Sequence, residues 1–400
     1  MNILVVSQYY YPEPFRVHEV CEGLVTMGHK VTVLTTFPNY PEGEIYDGYE
    51  NQRERIEIIN GVEVRRYYTI PRHSGAKYLI FSYLSYAFII SKIIKTLDKN
   101  FDCVYVYQMS PVLMAIPAIK YKKLNKVPMY LYCLDIWPES IKTHILNEKN
   151  ILYRLIKKIS SHIYQKADCI GITSRAFCKY LVEECGVDIN RISYLPQHAM
   201  DIGVCNKKNN SDHTALFFTG NIGKDQNIDL IIDAVDKIRN IPGYTVEFVG
   251  SGSRLEYAKK KVKDLMLDNI IIFHGRFPAS RMPEFYEKAD ACLLTLCGDS
   301  LIGMTIPGKM QGYMSAGKII IGAIEGDAAK IIRESNCGIV VSSNDVNGFS
   351  EGLKLFITHK EQFKRCGINA RKYYEQHFTI EQHLESLEIS LNNLNGGKYS

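Results

Sequence analysis

Several things are missing from this chain of 400 residues, and each absence removes a class of function. The eleven cysteines are odd in number, scattered, and nowhere spaced Cys-x-x-Cys. That excludes a disulfide framework and a zinc ribbon, and so many free thiols suit a reducing cytosol. His-Glu-x-x-His, Gly-x-Ser-x-Gly and an EF-hand loop are absent, so metal-assisted hydrolysis and serine acyl transfer fall away. No apolar run reaches the roughly 20 residues that a membrane span needs. The best candidate, Tyr78 to Ile90, ends near Lys92 and Lys95. Met1 to Val6 lacks a basic start, and Glu13 and Glu19 follow closely, so no secretory signal is expected. Tryptophan occurs once, at position 137.

What is present reads as globular, with hydrophobic content of 46% and charged content of 23%. The length suggests two or three domains. Asn2 to Ser7 has a buried-strand pattern, Val17 to Met27 a helix pattern ending at Gly28, and Lys30 to Thr35 the next strand. Strand and helix candidates then alternate through Gly61–Tyr68, Tyr78–Leu97, Phe101–Tyr107, Pro111–Leu124, Met129–Leu134, Ile151–Lys166, Cys169–Thr173 and Ala176–Cys185. The polar stretch Asn206 to His213 has the composition of a linker. Alternation resumes at Ala215–Thr219 and runs to a strand at Gly338–Val341. Such alternation predicts parallel sheets with helices on both faces. The expectation is α/β: two doubly wound Rossmann-like domains, residues 1–197 and 213–377, facing each other across a cleft. A helix over 378–400 rejoins the first.

The net charge of +5 belongs wholly to residues 1–199. It clusters at Lys120, Lys122, Lys123 and Lys126 and at Arg154, Lys157 and Lys158. Such runs are ordinarily solvated helix faces. They also suit an anionic membrane surface, where each basic group contributes about 1 kcal/mol. No nucleic-acid-binding motif accompanies them, so nucleic acid is not an expected partner.

The segment Gly303-Met304-Thr305-Ile306-Pro307-Gly308-Lys309-Met310 follows a strand pattern and opens a short helix that Gly317 ends. A helix start offers unpaired amides and a positive dipole end to an anion, and Lys309 adds a charge. The match to an ATPase P-loop fails at Met310, because a thioether is a poor ligand for magnesium. A plain helix start with a solvated lysine remains the alternative. Gly220, Asn221, Ile222, Gly223 and Lys224 form a second glycine-rich turn beside which a phosphate could lie; taken alone, an ordinary turn is the better account. Gly250-Ser251-Gly252 is followed by Leu255 where a dinucleotide fingerprint needs its third glycine, which rules out a nicotinamide or flavin site.

Asp135-Ile136-Trp137-Pro138-Glu139 ends a strand pattern. Asp135 could accept a hydrogen bond from a hydroxyl or only cap the next turn, and Trp137 could form an apolar wall. Tyr9 to Arg16 follows the first strand, with Pro12, Glu13 and Arg16 among aromatic rings. That mixture fits sugar recognition and a stiff turn equally. Asp-x-Asp, the usual carboxylate clamp for a metal-bound diphosphate, does not occur.

Taken together, YYYPEPFR (Tyr9–Arg16), GHKVTVLTTFPNYPEG (Gly28–Gly43), YQMSP (Tyr107–Pro111), DIWPES (Asp135–Ser140), TGNIGKDQN (Thr219–Asn227), FHGRFP (Phe273–Pro278) and TIPGKMQGYMSAGK (Thr305–Lys318) resemble glycosyltransferase family 4. Within that family of retaining, GT-B-fold enzymes, the chain is most similar to the branch that builds capsule, colanic acid and O-antigen polysaccharides. The resemblance implies a nucleoside-diphosphate sugar, UDP-linked, as donor and a lipid-linked saccharide as acceptor. It implies no metal, no cofactor, and peripheral contact with the cytoplasmic membrane face. Gly275 and Arg276 would meet the base, with Gly220 and Asn221 nearby. Thr305, Ile306 and Gly308 would give amides to the diphosphate, with Lys309 and Lys224 as counter-charges. Asp135 would stand near the reacting hydroxyl. The family's ribose-gripping glutamate is matched here by Gly312, and its Arg/Lys pair by Asn221 and Gln226. Its first-loop glycine pair is matched by Phe15-Arg16, and the branch's Gly-Glu by Gly326-Asp327. A sugar-nucleotide epimerase of the same fold, or a catalytically idle binding module, are the alternatives.

Overall fold

The computed structural model describes residues 1–73, 76–97, 100–142, 148–206, 213–298 and 301–396. It divides into two compact units, Met1–Pro196 with His383–Ser400, and Gln197–Gln382.

The first unit holds an eight-stranded sheet. Its strands are β1 (Asn2–Val6), β2 (Lys30–Thr36), β3 (Glu54–Ile59), β4 (Val62–Tyr67), β5 (Cys103–Gln108), β6 (Met129–Cys133), β7 (Cys169–Ile172) and β8 (Ile192–Tyr194). The spatial order is β3-β4-β2-β1-β5-β6-β7-β8. Among the described strands only β3 runs antiparallel, paired with β4. The central strands are buried on both faces, which is why β1 reads as an unbroken apolar run. Connecting helices are α1 (Val17–Thr26), α2 (Ala76–Ile93), α3 (Ile116–Asn125), α4 (Glu139–Lys142), α5 (Ile151–Gln165) and α6 (Ala176–Glu183). The β3–β4 hairpin was not foreseen. Its strands turn at Asn60-Gly61, both with positive φ (48° and 83°), the two-residue turn such a dipeptide favours.

The second unit has strands β9 (Thr214–Thr219), β10 (Tyr244–Val249), β11 (Ile271–Gly275), β12 (Ala291–Thr295), β13 (Ile319–Ala323) and β14 (Gly338–Val341). Their order, β11-β10-β9-β12-β13-β14, is that of a doubly wound sheet. Helices α7 (Ile228–Lys237), α8 (Leu255–Asp264), α9 (Met282–Tyr286), α10 (Gly308–Ser315), α11 (Gly326–Ser335), α12 (Val346–His359) and α13 (Lys364–His377) cover its faces. Two apolar clusters result, one around Phe217, Tyr313 and Ile324, the other around Phe218, Ile231 and Phe248. Most of the Asn206–His213 stretch lies outside the described residues.

A last helix, α14 (Ile380–Leu394), packs within the first unit from His383 onward. Gly23 on α1 has no room for a Cβ, which would sit 2.2 Å from Leu384 Cδ1. His29 Nε2 pairs with Glu388 Oε1 at 2.8 Å, and the His383 ring meets Tyr132 edge to face.

Candidate functional site

In a doubly wound sheet the strand order reverses at one point, and the carboxyl ends there leave a crevice. In the second unit that point lies between β9 and β12. Three adjacent strand ends carry glycines with positive φ: Gly220 (112°), Gly250 (156°) and Gly275 (81°). The Gly220 amide donates to Val249 O and the Gly250 amide to Gly275 O, both at 2.8 Å. A Cβ on Gly250 would lie 1.8 Å from Gly220 O, so glycine is a steric necessity there.

On the other side of the reversal, α10 begins at Gly308. Pro307 is its N-cap and supplies no capping side chain. The Met310 amide donates back to Pro307 O at 2.9 Å, and the amides of the first turn ahead of it face the place where a helix start offers itself to an anion. The Lys309 ammonium reaches Gln226 Oε1 at 2.5 Å and lies 3.6 Å from the centre of the Phe218 ring. A Cβ built on Gly220 would stand 3.7 Å from Lys309 Nζ, so Lys309 lies against that glycine. Burial lowers its ammonium from 10.5 to about 7. Lys309, Gly220, Gln226 and the start of α10 thus meet at the reversal. Thr305 and Ile306 are half-buried just ahead of the helix, and Ile306 packs on the core. Asn221, Lys224 and Arg276 are exposed. Gly312 sits beside the Tyr286 hydroxyl, 3.5 Å from where a Cβ would be, so a larger side chain is not sterically barred.

In the first unit the reversal lies between β1 and β5. Glu13 is buried and accepts from the amides of Tyr10 (3.2 Å), Asn39 (2.9 Å) and Tyr40 (2.9 Å). Burial raises its carboxyl to about 7, against the pull of those amides. Both of its oxygens thus accept from the chain itself. Glu13 ties together the loops after β1 and β2, where the sequence expectation had it facing a ligand. Arg66, fully buried on β4, complements it: the guanidinium donates to Glu57 Oε1 (2.6 Å), Thr36 O (3.3 Å) and Tyr11 O. Sequence reasoning passed over Arg66. The available signal was an arginine at an inward position of the alternating run VEVRRY. Pro12 and Arg16 are half-buried on the same loop. Tyr9, Phe15 and Tyr40 pack ring against ring beside them.

Asp135 follows β6, half-buried, with Oδ2 at 2.6 Å from Ser110 Oγ. Trp137 donates its indole N–H to the same Ser110 Oγ at 2.7 Å. An indole nitrogen only donates, so the serine accepts there and gives its own hydrogen to Asp135. Burial raises the Asp135 carboxyl above its ordinary range, and the bonds from Ser110 and Ser140 oppose that rise. Trp137 is buried, with 8% exposure, so it acts through Ser110 and not as an open wall. Ser110, which the sequence reading gave no role, is the hinge of this cluster.

Comparison with known proteins adds to this geometry. Residues 15–197 match the family described as Glycosyltransferase Family 4, and residues 206–373 match Glycosyl transferases group 1. The chain is similar to the probable glycosyltransferase WbjE of Pseudomonas aeruginosa, 25% identical over 58% of this chain and 60% of that protein. It is also similar to the putative colanic acid biosynthesis glycosyl transferase WcaI of Escherichia coli (strain K12), 22% identical over 79% of this chain and 82% of that protein. The match therefore spans less than two thirds of the WbjE length. Anabaena HepE, solved in complex with UDP and glucose, shares the fold with a TM-score of 0.69 and 13% identity, over 98% of this chain and 99% of that one. The fold is GT-B, with two Rossmann-like units.

Proposed function

From the premise that this chain belongs to glycosyltransferase family 4, we propose that it moves a sugar from a UDP-linked donor to a lipid-linked saccharide. The transfer serves surface polysaccharide assembly and retains the anomeric configuration. One observation carries the reading: the uncapped start of α10 and the Lys309 ammonium meet against Gly220 where the second sheet reverses its strand order. The name of WcaI supports the polysaccharide context, that of WbjE supports glycosyl transfer, and the UDP in the HepE structure supports the nucleotide.

On this reading the second unit binds the donor. The amides at Thr305, Ile306 and Gly308 hold the diphosphate, Lys309 and Lys224 offset its charge, and Gly275 and Arg276 take the base. The first unit binds the acceptor, with Asp135 beside the reacting hydroxyl. The bond from the sugar's anomeric carbon to the diphosphate oxygen breaks, and a bond to the acceptor oxygen forms on the same face. The leaving diphosphate takes the acceptor's proton. Preorganised amides and the lysine stabilise the charge that builds on the leaving group, the largest single effect available to such a site. This scheme asks nothing of a metal.

Contact with a membrane surface would bring a lipid-linked acceptor within reach. Among the described residues no helix is long and apolar enough to cross a membrane. The α2 helix nonetheless exposes Tyr78, Ile80, Phe81, Leu84 and Phe88, an apolar face suited to lying on lipid. The test is a panel of labelled sugar nucleotides, incubated with and without membrane lipid extract. Donor-dependent label in lipid is the expected outcome. Interconversion of donors without release of nucleoside diphosphate would identify an epimerase, and binding without turnover an idle module.

A further inference from the structure

A cavity of about 820 Å³ lies at the amino-terminal edge of the first sheet, at the opposite end from Asp135. Val127 and Pro128, just ahead of β6, and Ile119 on α3 give it an apolar floor. Its rim is cationic: Lys122, Lys123 and Lys126 at the end of α3, and His162 and Lys166 at the end of α5. One carboxylate lines it, Asp168, and that is already engaged. Lys122 pairs with Asp168 Oδ2 at 2.6 Å and donates to Lys166 O at 2.8 Å, while the Met129 amide donates to the same Asp168 oxygen. The side chains of Lys123, Lys126, His162 and Lys166 make no hydrogen bond or ion pair among the described residues.

Lysines at helix ends are common because they complement the helix dipole. That alone does not explain this cluster. Two helices bring their cations to one cavity, and Lys126 adopts a left-handed backbone (φ 58°, ψ 35°) where glycine is the cheaper choice. A strip along α5 says what kind of anion belongs here. Ile151, Leu155 and Ile159 repeat every four residues and are 84%, 54% and 41% exposed, and the same strip continues into His162 and Lys166. An apolar ridge that runs into a cationic pocket matches a molecule with acyl chains and a phosphate.

We propose that this cavity binds the phosphate headgroup of an anionic phospholipid while the Ile151–Leu155–Ile159 ridge lies against the acyl boundary. The pocket deepens the membrane contact proposed above and rests on it. It gives the first unit a preferred lipid and a fixed rotational setting on the bilayer.

The experiment is sedimentation of the full chain with vesicles of phosphatidylcholine, with or without phosphatidylglycerol. A triple variant, Lys123→Glu, Lys126→Glu and Lys166→Glu, is compared with a control of equal charge change on the second unit, Lys330→Glu, Lys354→Glu and Lys364→Glu. All six lysines are exposed, so both variants should fold, and melting curves verify this. The expected result is a loss of tenfold or more in partition onto phosphatidylglycerol vesicles for the pocket variant. The control should stay within about twofold of the parent. Equal losses in both variants would overturn the pocket, because only net charge would then matter. A third variant, Phe81→Ser with Phe88→Ser, separates the two readings. If it detaches the protein while the pocket variant still binds, the pocket fails and the membrane contact stands. If the parent ignores both vesicle types, the membrane contact itself fails. Tight binding of inorganic pyrophosphate without vesicle binding would overturn the lipid and identify a soluble anion.

Discussion

Lys309 and Gln226, far apart in the chain, meet through a 2.5 Å bond from ammonium to amide oxygen. The resemblance to family 4 puts a charged residue at position 226, and here it is a neutral amide. Gln226 therefore orients the lysine without adding to the site's charge. On the proposed reading, that lysine supplies the charge that meets the donor's diphosphate.

Replacing Lys309 by alanine should weaken donor binding and leave the second unit folded. A charged hydrogen bond contributes about 1.5–3 kcal/mol, so the loss should be roughly ten- to a hundredfold. Calorimetric titration with UDP-sugars measures it, and unchanged affinity would remove Lys309 from the site.

The lowered Lys309 ammonium gives binding a pH dependence whose sign can be worked out. A diphosphate favours the protonated lysine, and the free protein holds that proton only partly near pH 7. Donor affinity should therefore fall as pH rises above about 7, approaching tenfold per unit. Lys309→Arg, always charged, should flatten the profile. Stability moves the other way. Between about 7 and 10.5 the unfolded chain binds more protons than the folded one, so the free protein gains stability as pH rises through that window. Proton uptake by calorimetry in two buffers and melting curves across pH check the two halves.

Asp135→Asn should abolish transfer and leave donor affinity within about twofold. Ser110→Ala removes the hydroxyl that favours the Asp135 carboxylate, so that carboxyl should rise further. The acid limb of the pH–rate profile should then shift to higher pH. A role confined to packing would leave that limb in place.

Glu13→Ala strands three amides, two of them buried, at about 1–3 kcal/mol for each unsatisfied buried group, so a loss of several kcal/mol is expected. Its carboxyl is raised from 4.5 to about 7 in the folded protein, so the folded state holds the extra proton in that window. Stability from this group should therefore fall as pH rises from 4.5 to 7, and Glu13→Gln should remove that slope. Urea midpoints across the window test it.

Gly250→Ala would force a Cβ onto Gly220 O at 1.8 Å in a backbone conformation that L residues avoid. Crowding and strain together should cost roughly 2–4 kcal/mol. Gly275→Ala, whose Cβ meets open space, carries only the conformational part. Equal effects in denaturant titrations would refute the steric account.

The central strands were legible because a strand buried on both faces writes itself as a short apolar run, as in NILVV or ACLLT. The edge strand β3 was not, because ERIEII is half exposed, and its apolar residues Ile56 and Ile58 face outward. Asn60-Gly61 was the signal that could have found it. The start of α10 was legible from glycine, proline and lysine alone. Glu13 and Trp137 were read as ligand-facing because their segments leave the carboxyl ends of strands. Their actual partners, the amides of Asn39 and Tyr40 and the hydroxyl of Ser110, lie 26 or more residues away.

By itself the sequence determined the alternation of strands and helices, and where loops leave the strand ends, since local periodicity records which face of an element is buried. Strand order, and with it the meeting of residues 226 and 309, was decided only in three dimensions. A bond across 83 positions depends on how the sheet is wound, and no local pattern encodes that.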